Sequence, residues 1–247
     1  MSKLYLSLHF KNNKMDSIFR RLKYYGIGFG TGLVFVIFFF QNRGCSWLPD
    51  NRVKNSILDR VLVLPETESV QMKKYGLTKK DLTLVLNDGE VLFEESKKSG
   101  NPKVYVVEKE IENKGKMKFF FTLSDESFIS EIHFSQKNAK NTRNTKTGFG
   151  DLIYFPMDDN LVFPDSSARV TCQQDELNLI SSLEILKNLK KSGKIDYSKS
   201  HLLASPKPEH HLVFKDNKNR EIGCDVIWYK NKLNITNFYS PTLSNCK

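Results

Sequence analysis

Five histidines, His9, His133, His201, His210 and His211, are the side chains of this chain best suited to exchange a proton near neutral pH. Their spacing limits what they can do. His210 and His211 are adjacent, so on a strand they point to opposite faces and cannot ligate one metal together. His201 follows Ser200 in an expected loop. Lys207, His210 and His211 form the surface at which a ligand is expected. Cys45, Cys172, Cys224 and Cys246 show no C-x-x-C and no Cys/His pairing of zinc type. Under oxidising conditions two of the last three can form a disulfide, and spacing does not choose which. The chain has no glycine-rich phosphate loop, no G-x-S-x-G and no H-E-x-x-H. Asp158-Asp159-Asn160 lacks the ligand spacing of a calcium loop. No catalytic residue, metal or cofactor is therefore assigned.

The element that dominates the sequence lies far from these residues. Residues 24–40 contain no charge, with Arg20, Arg21 and Lys23 before them and Gln41-Asn42-Arg43 after. With the stem of Lys23 snorkelling, residues 22–40 have the length to cross a hydrocarbon core of about 30 Å, which predicts an uncleaved transmembrane helix. A cleaved signal peptide is the alternative, but no small-x-small cleavage pattern follows the stretch. A buried core helix would rarely be so free of polar residues. Gly26, Gly28, Gly30 and Gly32 give two overlapping G-x-x-x-G spacings, a candidate face for pairing with a second copy in the bilayer. Flanking cations are denser upstream, predicting a cytoplasmic N-terminus and an extracytoplasmic C-terminal part at a bacterial membrane. Met15 is an alternative start.

The formal charge of +10 divides about equally between residues 1–50 and the rest of the chain. Lysine outnumbers arginine thirty to eight, and asparagine occurs twenty times against three alanines. That profile fits A/T-rich coding better than nucleic-acid binding, because the guanidinium forks that read phosphate and base edges are scarce. The expected partners are the lipid bilayer, a second copy through the helix, and an unidentified protein.

Along the chain, residues 1–21 read as a short basic tail and 22–40 as the membrane helix. Residues 41–64 read as a connector with Trp47 at headgroup depth and Pro49 breaking the helix. Residues 65–135 form a first module. Thr78 and Asp81 open its helix in capping-box fashion, Gly89 closes it, and four strand-like runs follow. Residues 136–166 are a basic linker and an extended, aromatic cover. Residues 167–247 repeat the order, with a helix from Ser182 closed by Gly193. At a constant offset of 104, Leu82 matches Leu186, Val85 Leu189, Gly89 Gly193, Val91 Ile195, Pro102 Pro206 and Ile129 Leu233. The expected fold is α+β: a single transmembrane helix followed by two related modules, each a helix packed on a roughly four-stranded antiparallel sheet.

Arg21-Leu22-Lys23-Tyr24-Tyr25, Gly28-Phe29-Gly30 and Asn42-Arg43-Gly44-Cys45-Ser46-Trp47-Leu48-Pro49 resemble the N-termini of membrane-anchored proteins of Bacteroidetes-type bacteria. Ser167-Ala168-Arg169, with the helix running to Gly193-Lys194-Ile195-Asp196-Tyr197, is similar to the bacterial domain of unknown function 4258 family. That family's pattern places a histidine where this chain has Ser167, and the family carries no activity to transfer. The resemblance and the residues together imply a non-enzymatic binding or structural protein at the cell envelope. The alternative is a membrane-tethered, ribonuclease-like toxin domain using His201, His210 or Lys207 as acid–base groups.

Overall fold

The N-terminal apolar stretch falls inside one helix, α1 (Asn13–Gln41), in the computed structural model of this chain. The structure describes residues 13–41, 48–112, 114–140, 148–179, 181–243 and 246, with backbone alone for 13–18, 35, 37–41 and 140. Residues 1–12 of the basic tail with His9, the expected interfacial turn at 45–47, and linker residues 141–147 lie outside the described residues. Among the described residues no helix is long and apolar enough to cross a membrane, which overturns the transmembrane anchor. Between Lys23 and Leu33 the apolar side chains Ile27 and Phe29 are interspersed with Tyr24, Tyr25, Thr31 and four glycines, which lower the hydropathy of that stretch. The single-pass membrane placement and its orientation fall with the anchor. Among the described residues, a Cβ built at Gly26, Gly28, Gly30 or Gly32 meets nothing within 4 Å apart from the neighbouring backbone of α1 itself.

Residues 49–247 form a unit of their own. In chain order it comprises α2 (Pro49–Leu58), β1 (Val61–Pro65), α3 (Glu66–Lys74), α4 (Lys79–Asp88), β2 (Glu90–Val91), β3 (Lys103–Ile111), β4 (Gly115–Leu123), β5 (Ile129–His133) and α5 (Gln136–Lys140). After these come β6 (Phe149–Tyr154), β7 (Val162–Pro164), α6 (Ala168–Leu177), α7 (Ser182–Ser192), β8 (Lys194–His201), β9 (Glu209–Lys215), β10 (Glu221–Tyr229) and β11 (Lys232–Tyr239). All the strands join one mixed sheet of eleven, ordered β2-β3-β4-β5-β1-β6-β8-β9-β10-β11-β7. The two separate four-stranded antiparallel modules expected from the sequence are not present. What overturns them is β1 and β6, which lie in the stretches expected to form a connector and a cover. β1 pairs in parallel with β5 and antiparallel with β6, and β6 pairs with β8, so the strand edges that would have separated two sheets are occupied.

The reason lies in the local sequence. Val61-Leu62-Val63-Leu64 is apolar at every position, the pattern of a strand covered on both faces. Period-two alternation sends Val61 and Val63 into one core, with Phe128, Leu186 and Ile195, and Leu62 and Leu64 into another, with Leu82, Leu86, Phe119 and Phe121. All four are fully buried, each contributing roughly 1.5–3 kcal/mol of transfer free energy. β6 threads between β1 and β8 at Gly150, where a Cβ would meet Val63 Cγ1 at 2.6 Å and Ile195 Cγ2 at 3.0 Å. Only glycine fits.

The two ends of the sheet run in the same order. β2-β3-β4-β5 ends on β1, held parallel to β5, and β8-β9-β10-β11 ends on β7, held parallel to β11. Two helices precede each set, α3 and α4 in the first and α6 and α7 in the second. The peptide bonds before Pro102 and Pro206, 104 residues apart, are both cis. Thr78 caps α4 with its side chain accepting from the Asp81 N–H, while Asp81 accepts from the Thr78 N–H at 2.7 Å. Ser181 caps α7 in the same sense.

Candidate functional site

β9 and β10 are joined by the turn at 216–220, where Asp216 accepts from the backbone N–H of Lys218 and of Arg220 and fixes the hairpin register. That register sets His211 directly opposite Asp225. His211 Nδ1 donates to Asp225 Oδ1 at 2.8 Å, and the Tyr239 hydroxyl of β11 donates to Oδ2 at 2.5 Å. The imidazole also lies against the Tyr239 ring, centroids 5.3 Å apart. Burial pushes the Asp225 carboxyl up, but the hydrogen bonds from His211 and Tyr239 outweigh it and hold the group below the usual carboxylate range. Burial and the bond to Asp225 raise the Tyr239 phenol.

These side chains line a groove of about 1100 Å³, as large as the sites that enclose small-molecule ligands. Its apolar surface comes from Val213, Phe238, Pro241 and Leu243, and its cations are Arg169, Lys199 and Arg220, with His201 beside them. α6 clamps one wall: Gln173 accepts from the Phe238 N–H at 2.9 Å and donates to Asn237 Oδ1 at 2.8 Å, and Arg169 donates to the Thr236 carbonyl. Residues 240–243 form another wall, and the Cys172–Cys246 disulfide ties the end of the chain to α6. Cys224, the remaining described cysteine, is buried, and burial drives its thiol well up. Among the described residues no group of three or more His, Cys, Asp or Glu side chains could hold a metal ion.

The three residues expected to share a ligand surface are separated. His211 lines the groove. His210, on the opposite face of β9, is 1% exposed, packs on Phe128 with ring centroids 4.6 Å apart and bonds Ser127 Oγ through Nε2 at 3.0 Å. Its burial lowers the imidazole to about 4, so it is a neutral core side chain. The Lys207 ammonium donates to the Trp228 carbonyl at 2.9 Å and lies over the Tyr229 ring, away from the groove. His201 does reach the groove. Sequence reasoning passed over Asp225, Tyr239, Arg169, Lys199 and Arg220. One signal was available: His211 and Asp225 stand seven residues either side of Lys218, the centre of a turn-rich run.

A second polar cluster is sealed in the interior of the same unit. His133 Nδ1 pairs with Glu68 Oε1 and its Nε2 with Glu131 Oε2, each at 3.1 Å. Tyr197 donates to Glu131 Oε1 at 2.9 Å, and Asn138 Nδ2 donates to Glu68 Oε1 at 2.6 Å. Burial raises Glu68, but bonds from His133, Asn138 and the Phe134 N–H leave its carboxyl below the ordinary range. The cluster ties α3 and α5 to β5 and β8.

With this geometry in place, comparison of the chain with protein-family models, curated proteins and solved structures finds no match.

Proposed function

We propose that this chain is a non-enzymatic binding protein that takes a small organic anion into the groove between α6, β9–β11 and the C-terminal segment. The observation that carries the reading is Asp225 held by two donors and Arg220 fixed by Asp216 at 2.7 Å, with Arg169 and the exposed Lys199 beside them on a partly apolar surface. Preorganised polar groups around apolar walls favour binding because little ordering is left to the moment of contact. The His211 ring is held in place by its neighbours. Nδ1 is committed to Asp225, and Nε2 lies where a Cβ on Gly223 would come within 2.8 Å of it. Among the described residues no hydroxyl or thiol bonds this ring.

Isothermal titration with 1-naphthyl phosphate, an anion with an apolar body, tests the proposal. Saturable binding that weakens at least tenfold in an Arg169→Ala, Lys199→Ala variant supports it, and equal affinity in the two proteins refutes it. A second reading, ribonuclease-type cleavage, is favoured by one observation: His201 and His211 line the same groove beside Asp225. Cleavage of a fluorogenic RNA that disappears in both His201→Ala and His211→Ala would make that reading the better one.

A further inference from the structure

A separate groove of about 780 Å³ opens where β6, α7, β8 and β9 meet α4. Five exposed lysines line it from four elements: Lys79 of α4, Lys190 and Lys191 of α7, Lys194 of β8 and Lys215 of β9. Asp151 and Glu221 are its only carboxylates among the lining residues. Asp151 is shared by Lys79 at 3.2 Å and Lys194 at 3.6 Å. Among the described residues no carboxylate pairs with Lys190, Lys191 or Lys215. Two lysines in the last turn of α7 would be ordinary partners of the helix dipole. Lys79, Lys194 and Lys215 are not explained that way, because other elements bring them to the same hollow. Phe149, at the start of β6, stands 41% exposed on the wall of this groove.

We infer that this lysine groove binds a short single-stranded segment of nucleic acid, the ammonium groups meeting backbone phosphates and the Phe149 ring stacking on a base. The chemistry follows from the residue types. Lysines are point charges that pair with phosphate without reading base edges, and their concentration in one groove favours a polyanion that releases counterions on binding. A half-exposed aromatic among such cations is the stacking platform that sequence-tolerant single-strand binders use. The surface is concave, which suits a strand and not the plane of an anionic bilayer. This site is distinct from the His211–Asp225 groove, touching it only at Val213 and Glu221.

The test is fluorescence anisotropy of a fluorescein-labelled twelve-nucleotide oligouridine with the full chain at 50 and 200 mM NaCl. The expected result is binding that falls with salt. Replacing Lys190, Lys191 and Lys194 together by Ala weakens it at least tenfold and lowers the log–log salt slope by about 2, at roughly 0.7 per phosphate. Phe149→Leu, which keeps the side chain apolar, weakens it at least fivefold. Replacing Lys97, Lys98 and Lys116 by Ala removes the same charge elsewhere and leaves affinity within twofold. Arg169→Ala in the other groove also leaves it within twofold. The inference is overturned by absence of binding at 50 mM salt, by equal loss in the two lysine triples, or by an unaffected Phe149→Leu protein. Vesicles of anionic phospholipid that bind through the same lysines while oligouridine does not would overturn it as well.

Discussion

His210 offers the sharpest quantitative test of the fold. Its ring is buried, bonded to Ser127 Oγ and packed at a tilt against Phe128, and burial lowers it from an ordinary 6.5 to about 4. The sign follows directly. The folded chain keeps His210 neutral while the unfolded chain takes up a proton below about pH 6.5, so stability is full above that value and falls as the pH drops towards 4. The whole shift corresponds to about 3 kcal/mol, at 1.36 kcal/mol per pH unit. Between pH 7 and pH 5, where most carboxylates remain ionised, the loss from this one group is about 2 kcal/mol. For a unit of this size that lowers the melting temperature by about 4–8 °C. Urea unfolding at pH 7, 6 and 5, wild type against His210→Leu, measures it. The variant is less stable at pH 7 because Ser127 Oγ keeps only the Ile129 N–H and loses the imidazole, but its pH dependence over this interval is flatter by about 2 kcal/mol. Parallel curves for the two proteins would refute the assignment of His210 as a neutral core histidine.

Four further outcomes follow from the same structure. His133→Leu leaves Glu68 and Glu131 buried without the imidazole that bonds both, costing about 3–5 kcal/mol at pH 7, read by thermal melts of the two proteins. In the wild type the Glu68 contribution is present above about pH 4.3 and lost as the pH falls below it, since its folded carboxyl lies low. Reducing the Cys172–Cys246 disulfide, which spans 74 residues, destabilises the unit by about 4 kcal/mol on loop-entropy grounds, read by denaturant unfolding with and without reductant. Gly223→Ala drives a methyl group into the His211 ring and displaces it from Asp225, so 1-naphthyl phosphate binding in the first groove weakens while oligouridine anisotropy is unchanged.

Local rules read from residues carried over where the interaction is local. The Thr78–Asp81 capping box, the glycines closing α4 and α7, and the opposite facing of His210 and His211 depend on neighbours within a few positions. The joining of the sheet was not legible, because it depends on which distant strand meets β1 and β6. The all-apolar run at Val61–Pro65 was nonetheless a cue to a strand buried on both faces. The N-terminal helix misled in the other direction, since an uncharged stretch was read by the charges it lacked rather than by the aliphatic surface that its glycines and tyrosines fail to supply. At the candidate site, His211 was noticed as a residue type. Its partner Asp225 sits in a strand between Cys224 and Val226, and only the hairpin register brings the two together. Arg169 and Gln173 reach the groove through the packing of α6 on β11, a contact no local pattern encodes.

The central claim, an anion site framed by α6 and β9–β11, is tested most directly by following backbone amide NMR shifts of the full chain during titration with 1-naphthyl phosphate. The account predicts saturating shifts centred on Arg169, His211, Asp225, Asn237 and Tyr239. Shifts confined to the lysine groove around Lys190 and Lys194, or no saturating shift at all, would contradict it.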